Sequence, residues 1–105
     1  MLRIHTVMLE VIRLMRPVLA QIARYDRELE SQARRAETSA VLNIAEGSGA
    51  RGRNRPAKYS LARSEAEETY TCLQVAEAQG YIDRIDPEIE SRLKQVIGTL
   101  VNLTR

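Results

Sequence analysis

The feature that most constrains the fold is a set of four stretches in which apolar residues recur at three- and four-residue steps. Such steps follow one face of an α-helix, so they predict helices at about residues 4–24, 28–46, 55–79 and 87–103. Strands favour aromatic residues, yet the aromatic residues of this 105-residue chain are four tyrosines alone. The sequence therefore predicts an all-α fold: a single domain, residues 1–105, built as an antiparallel up-down-up-down four-helix bundle.

Small polar residues and glycines mark the predicted helix ends. Asp26, Asn54 and Asp86 each precede a helix and are suited to cap its first backbone N–H groups. Gly47 and Gly80 follow helical stretches and are expected to end them. The longest irregular stretch then runs from residue 47 to residue 54, between the second and third helices.

The first predicted helix has a broad apolar face. Its inner stripe consists of Ile4, Val7, Met8, Val11, Leu14 or Met15, Val18 and Ile22. Further apolar residues lie outside that stripe, namely Leu2, Leu9, Ile12 and Leu19. A helix that is apolar over more than one face is buried more than a small monomeric bundle allows, so this pattern favours self-association.

The residues available for catalysis or metal binding are few. Cys72 and His5 are the single cysteine and the single histidine, which disfavours a disulfide, a catalytic triad and most metal sites. The run from Gly47 to Gly52 has the spacing G-x-G-x-x-G, but it follows a helix, whereas a dinucleotide site needs it after a strand. We therefore expect no enzyme activity, cofactor or metal. No apolar stretch is long enough to span a membrane, and a cytoplasmic location is expected.

Positive charge is concentrated in the first part of the chain. Residues 1–63 carry 12 basic and 6 acidic side chains, whereas residues 64–105 carry 4 and 8. A segment of 13 residues without an acid contains Arg51, Arg53, Arg55, Lys58 and Arg63, and the second helix adds Arg34 and Arg35. Arginines in a glycine-rich loop are suited to phosphate binding. The same loop is equally suited to a solubilising role, with its arginines paired to acids of this chain or of a partner.

Several residues of the second and third helices form a recognisable pattern: Arg34-Arg35-Ala36, Ser39, Asn43-Ile44-Ala45-Glu46-Gly47, Gly49, Arg51, Tyr59, Ala62, Ser64, Glu67 and Gly80-Tyr81-Ile82. In these positions the chain resembles the four-helix-bundle family of 23S ribosomal RNA intervening-sequence proteins. The resemblance covers about residues 30–82, and the other helices agree in pattern only. The segment from Asn43 to Gly47 is its most specific part.

The resemblance implies a small up-down four-helix bundle, and for several members a ring-shaped homopentamer. Some members are encoded inside insertions in 23S ribosomal RNA genes. A related branch, the accessory variability proteins of diversity-generating retroelements, binds nucleic acid through a basic surface and associates with a reverse transcriptase. The family has no known catalytic residues. The net charge of +2 is lower than expected for the retroelement branch and favours charge pairing between subunits.

The candidate nucleic-acid-binding residues are Arg34, Arg35, Arg51, Arg53, Arg55 and Lys58. The first three match basic positions of the family motif, and the last three are assigned from their charge. One hypothesis is a non-enzymatic homo-oligomer whose basic surface binds nucleic acid, structured RNA in preference to DNA. The other is a protein-interaction scaffold or accessory subunit, for example of a reverse transcriptase, in which the same residues contact subunits or a partner.

Overall fold

The structure is a computed structural model that describes residues 2–49 and 54–105. It contains four helices, α1 (Arg3–Ala23), α2 (Arg27–Gly49), α3 (Asn54–Ala78) and α4 (Pro87–Leu103), and no strand in the described residues. The predicted all-α four-helix bundle is confirmed, and the helix bounds differ from the predicted ones by at most three residues. Two of the candidate binding residues, Arg51 and Arg53, lie outside the described residues.

Two of the three predicted N-caps are confirmed. The Asp26 carboxylate accepts a hydrogen bond from the backbone N–H of Leu29 at 2.9 Å, at the start of α2. The Asp86 carboxylate accepts from the N–H groups of Glu88 at 2.8 Å and Ile89 at 3.4 Å, at the start of α4. These bonds satisfy backbone donors that have no partner within the helix. Asn54 is itself the first residue of α3, one position earlier than predicted.

Gly80 ends α3 as predicted. Its φ of +77° lies in the left-handed region that favours glycine. The N–H of Tyr81 donates to the carbonyl of Ala76 at 2.9 Å, and the N–H of Gly80 donates to the carbonyl of Glu77 at 3.0 Å. This pair of bonds is the Schellman motif, which satisfies the last carbonyls of a helix and turns the chain.

The prediction that Gly47 ends the second helix is wrong. α2 continues through Gly47 to Gly49, and Gly47 is buried. A Cβ atom at position 47 would lie 2.5 Å from Cε1 and 2.6 Å from Cδ1 of Tyr59, on α3. The glycine is therefore needed for the close approach of the Tyr59 ring to the α2 backbone, and it does not act as a helix stop.

The helices pack in a ring in which α2 contacts α1 and α3, and α4 contacts α3 and α1. The most extensive of these contacts is between α2 and α3. Small residues are frequent among the buried positions of both helices: Ala33, Ala36, Ala40 and Gly47 in α2, and Ala62, Ala66 and Ala76 in α3. Small side chains let two helices approach closely, so the sequence pattern explains why this contact is so extensive.

In α1 the core follows the predicted inner stripe with one correction. Leu19, predicted to lie outside the inner stripe, is only 2% exposed, whereas Val18 is half-buried at the edge of the core. Leu2, Leu9 and Ile12 are also half-buried against the core. The broad apolar face of α1 is therefore largely used within the bundle, so an argument for self-association has to rest on other surfaces.

Polar contacts join helices that lie far apart in sequence. Arg92 of α4 donates to the Glu10 carboxylate of α1 at 2.8 Å. The Tyr70 hydroxyl of α3 donates to the Glu90 carboxylate of α4 at 2.6 Å, and this hydrogen bond to Glu90 raises the pKa of the tyrosine. At the end where α1 meets α2, the rings of Tyr25 and Tyr81 stack with centroids 5.3 Å apart.

Candidate nucleic-acid interface

Arg34 and Arg35 lie next to each other on the outer surface of α2. Arg34 Nε donates to Glu30 Oε2 at 2.6 Å, one helical turn earlier, so much of its charge is balanced. Arg35 is exposed, and no carboxylate of the described residues lies within ion-pair distance of it. Both arginines border a shallow groove of about 420 Å³ lined by Arg34, Arg35, Thr38, Ser39, Leu42, Asn43 and Glu46.

Arg55 and Lys58 lie on the first turns of α3. Lys58 Nζ is 3.1 Å from Glu46 Oε1, in an ion pair that joins α3 to the end of α2. Arg55 is exposed and lines a cavity of about 220 Å³ together with Leu2, Ser48 and Tyr59. Both side chains therefore lie at the end of the bundle where α2 leads into α3.

The four candidate residues that the structure describes form two groups rather than one patch. Lys58 pairs with Glu46 near the end of α2. Glu46 lies 11 residues after Arg35, so the two groups are separated by about 17 Å along the axis of α2. Each group includes a cation that is already paired with a glutamate of this chain. The sequence predicted which residues are exposed and basic, but it did not predict these ion pairs, because they depend on rotamers and on the α2–α3 register.

The motif residues Ser39 and Asn43 contact each other within α2. The Asn43 side-chain amide donates to the Ser39 carbonyl at 3.0 Å and to the Ser39 hydroxyl at 3.2 Å. In this geometry the Asn43 amide satisfies a backbone carbonyl of its own helix, which is a structural role. Both side chains line the groove that Arg34 and Arg35 border.

Glu37 is a buried charged residue that the sequence reasoning missed. It is 3% exposed, and its Oε1 has no hydrogen-bond partner among the described residues. Burial raises the pKa of Glu37 from 4.5 to about 7; the nearby Arg34 opposes this shift and Glu30 adds to it. One signal was present, since Glu37 lies four residues after Ala33 in the buried face of α2.

The raised pKa of Glu37 makes the stability of the fold depend on pH. Between about pH 4.5 and 7 the folded chain retains a proton that the unfolded chain releases. The contribution of Glu37 to stability is therefore complete below pH 4.5 and is lost as the pH rises through about 7.

Three further arginines, Arg13 and Arg16 of α1 and Arg24 at its C-cap, were also missed as candidate binding residues. All three are exposed. The signal in the sequence was their spacing of three and eight residues in a segment without acids, which is less conspicuous than the dense cluster after Gly49.

Within residues 2–49 and 54–105, no three side chains of His, Cys, Asp or Glu come together as a metal site would require. Cys72 is buried, and burial together with the nearby Glu68 raises the pKa of its thiol, which disfavours the reactive thiolate. In the same described segments, no helix has the length and hydropathy of a membrane span.

Fold and surface together define a class of protein: a small all-α four-helix bundle with exposed arginines on its outer faces. The family model described as 23S rRNA-intervening sequence protein matches residues 5–102. The chain therefore belongs to the 23S rRNA-intervening sequence protein family. The family resemblance found in the sequence is confirmed.

A solved structure supports the fold. The chain is similar to a protein of unknown function from the S23 ribosomal protein family of Bacteroides thetaiotaomicron VPI-5482, with a TM-score of 0.80 and 22% sequence identity. The match covers 97% of this chain and 98% of that chain, so it extends over the whole bundle. A search of curated proteins finds no significant match. Neither of these two descriptions names a catalytic activity.

Proposed function

We propose that the protein is a non-enzymatic nucleic-acid-binding protein that takes structured RNA in preference to DNA. The observation that carries the proposal is the placement of Arg35, Arg55 and Lys58 on the outer surface of α2 and the first turns of α3. These side chains flank the segment that contains Arg51 and Arg53. Guanidinium groups pair with phosphate oxygens in a planar, bidentate geometry, and 14 of the 16 basic residues are arginines.

The proposed mode of binding is contact with the phosphate backbone. Tyr59, the aromatic residue nearest to these cations in the sequence, is 4% exposed, so it is unsuited to stacking on a base. Binding through phosphates alone depends strongly on salt and weakly on nucleotide sequence. The family description, which refers to 23S ribosomal RNA, also supports RNA as the ligand.

Self-association is part of the proposal, as a homopentamer by resemblance to the family. Its support in this chain is the exposure of two large apolar side chains, Leu42 on α2 (55%) and Leu61 on α3 (50%). Light scattering on the purified protein would test it, since a pentamer of the 11.9 kDa chain has a mass of about 60 kDa. A stable monomer at micromolar concentration would contradict this part of the proposal.

A second candidate function is a protein-interaction scaffold, such as an accessory subunit of a reverse transcriptase. The observation that favours it is the pairing of Arg34 with Glu30 and of Lys58 with Glu46. Cations that pair with carboxylates within the chain are also able to exchange them for carboxylates of a partner. Leu42, exposed beside Glu46 in the α2 groove, would supply apolar contact area.

The experiment that tests the proposal is a titration of a labelled RNA hairpin with the full chain at about 50 and 200 mM salt. The variant Arg35→Ala/Arg55→Ala/Lys58→Ala removes three cations of the candidate surface, and Arg51→Ala/Arg53→Ala removes two from the intervening segment. A matched control, Arg84→Ala/Lys94→Ala/Arg105→Ala, removes three exposed cations from other parts of the chain.

The proposal expects tight binding at low salt, which weakens as salt increases and weakens further in the first two variants. Each lost phosphate contact should reduce the slope of log K against log salt by roughly 1. The control should bind much as the wild type does. Absence of binding at about 50 mM salt would refute RNA binding and favour the scaffold function.

A further inference from the structure

Three arginines form a stripe along the outer face of α1. Arg13 and Arg24 are 11 residues apart, close to three helical turns, so they lie almost on one line along the helix. Arg16 lies one turn after Arg13 on the adjacent flank, and the stripe extends for about 17 Å. All three side chains are exposed, and the surface between them is formed by Pro17 and Ala20, which are exposed and uncharged.

Carboxylates lie near this stripe, since Pro17 lines a cavity with Asp83 and Asp86, but among the described residues none forms an ion pair with its three arginines. Residues 11–25 contain no acidic side chain. The one acid of α1, Glu10, lines a small cavity with Arg13, but its carboxylate accepts from Arg92 at 2.8 Å. In the part of the chain that the structure describes, none of Arg13, Arg16 and Arg24 takes part in an ion pair.

The neighbouring flank of α2 adds positive charge to this face. Arg27, Arg34, Val41 and Ser48 recur at seven-residue intervals and therefore share one flank of α2. Ser48 lines a cavity with Leu2, at the start of α1, so this is the flank next to α1. Arg27 is exposed, whereas Arg34 is paired with Glu30. Beneath them Glu37 is buried, and its raised pKa reduces its negative charge at neutral pH.

We propose that the outer face of α1, through Arg13, Arg16 and Arg24, is a second binding surface for the phosphodiester backbone of RNA. Its three arginines belong to neither candidate group on α2 and α3, although Arg34, paired with Glu30, lies on the neighbouring flank of α2. The helix places these three residues along about 17 Å of its axis, so a duplex lying along it presents several phosphates to them. Phosphate contacts carry no sequence information, so we expect this face to bind RNA with little dependence on sequence. Tyr25, exposed beside Arg24, is already stacked on Tyr81.

The apolar residues of α1 argue against a lipid surface as the ligand of this face. A helix that lies in a membrane interface exposes large apolar side chains beside its basic ones. The large apolar side chains exposed in the described residues are Tyr25, Leu42, Leu61, Val75 and Leu103. Of these, Tyr25 alone adjoins the stripe, next to Arg24, and its ring is stacked on Tyr81. The large apolar residues of α1 are buried or half-buried against the bundle core.

The test is fluorescence anisotropy of a labelled RNA duplex of about 20 base pairs and mixed sequence, titrated with the full chain at about 50 and 200 mM salt. The variant is Arg13→Ala/Arg16→Ala/Arg24→Ala, and the matched control is again Arg84→Ala/Lys94→Ala/Arg105→Ala. We expect the α1 variant to lose about tenfold or more in affinity at low salt. Three lost contacts predict that wild-type affinity falls roughly 40-fold more than that of the variant between the two salt concentrations.

A role in folding is separated from a role in binding by further variants. Arg24 is the C-cap residue of α1, where a positive charge stabilises the helix, so the alanine variant is checked by circular dichroism and light scattering. Arg13→Gln/Arg16→Gln/Arg24→Gln provides a second neutral variant of high helix propensity. Arg13→Lys/Arg16→Lys/Arg24→Lys keeps the charge and should retain most of the affinity.

The two surfaces are distinguished by comparing the α1 variant with Arg35→Ala/Arg55→Ala/Lys58→Ala. Loss of affinity in the α1 variant supports the inference, whether or not the other variant also binds less. Wild-type affinity in the folded α1 variant overturns it, and loss in the other variant then leaves the proposed function intact. An equal loss in the Arg84/Lys94/Arg105 control also overturns it, because net charge alone would then explain the effect.

Discussion

Replacing Gly47 by alanine is expected to destabilise the fold, although alanine is a better helix former than glycine. The new Cβ would lie 2.5 Å from Cε1 of Tyr59, whereas ordinary van der Waals contact begins at 3.4 Å. The ring or the helix therefore has to move by about 0.9 Å. Tyr59 is 4% exposed, so the movement disturbs the packing between α2 and α3.

The size of this effect is the difference of two terms. Adding a methyl group to a packed core costs about 1–3 kcal/mol. Replacing glycine by alanine inside a helix contributes about 1 kcal/mol in the opposite direction. Because the contact is with a buried ring, the packing term belongs in the upper part of its range, and we expect Gly47→Ala to reduce the free energy of unfolding by about 1–2 kcal/mol.

The assay is urea unfolding followed by far-ultraviolet circular dichroism, at one fixed protein concentration because self-association contributes to apparent stability. Gly98→Ala is the matched control, since Gly98 lies in α4 and a Cβ added to it would meet no atom within 4 Å. It should stabilise the protein by up to about 1 kcal/mol. In a Tyr59→Leu background, Gly47→Ala should lose most of its cost. The reasoning is refuted if Gly47→Ala is as stable as Gly98→Ala.

Three further predictions concern single residues. In urea titrations, Glu37→Gln should raise the free energy of unfolding by up to about 3 kcal/mol near pH 8 and by little near pH 4. Glu28 is exposed, so the control Glu28→Gln should show a much smaller dependence on pH. A flat difference across this range would contradict the burial of the Glu37 carboxyl group. Cys72 should react with a thiol reagent at pH 8 only as fast as the protein unfolds, because the thiol is buried and its pKa is raised; rapid reaction of the native protein would be evidence against this packing. Asp86→Ala should cost about 1 kcal/mol through loss of the α4 cap, and Asp83→Ala, in the same connection, should cost less in the same assay.

The helices were predictable from sequence because their determinants are local. Asp26 and Asp86 bond to backbone groups within three residues, and Gly80 adopts its own positive φ, so each acts as its residue type suggests. Gly47 was misjudged because its role depends on Tyr59, a residue of another helix. The choice of Leu19 over Val18 for the core likewise depends on how α1 is rotated against its neighbours, which the period alone does not determine.

The candidate site was predictable only in part. The exposure of Arg35 and Arg55 follows from their positions outside the apolar stripes. The pairing of Lys58 with Glu46 depends on the register between α2 and α3, which no local pattern specifies. The burial of Glu37 was hidden because a glutamate within a helix is usually solvated, and its apolar neighbours at four-residue steps were the one indication otherwise.

Because α1 and α4 pack antiparallel, the start of α1 lies on the same side of the bundle as the end of α4. Arg3 and Gln95 line one cavity, while Glu10 bonds to Arg92, so the start of α1 lies alongside the later part of α4. Leu2 shares a cavity with Arg55, which places this end beside the start of α3. A short linker from α4 to α1 therefore suits circular permutation, with new termini opened in the α3–α4 connection. In such a permutant, fusion tags and surface attachments would lie at the end of the bundle opposite Arg55. The end that carries Arg55 and Lys58 would then stay accessible.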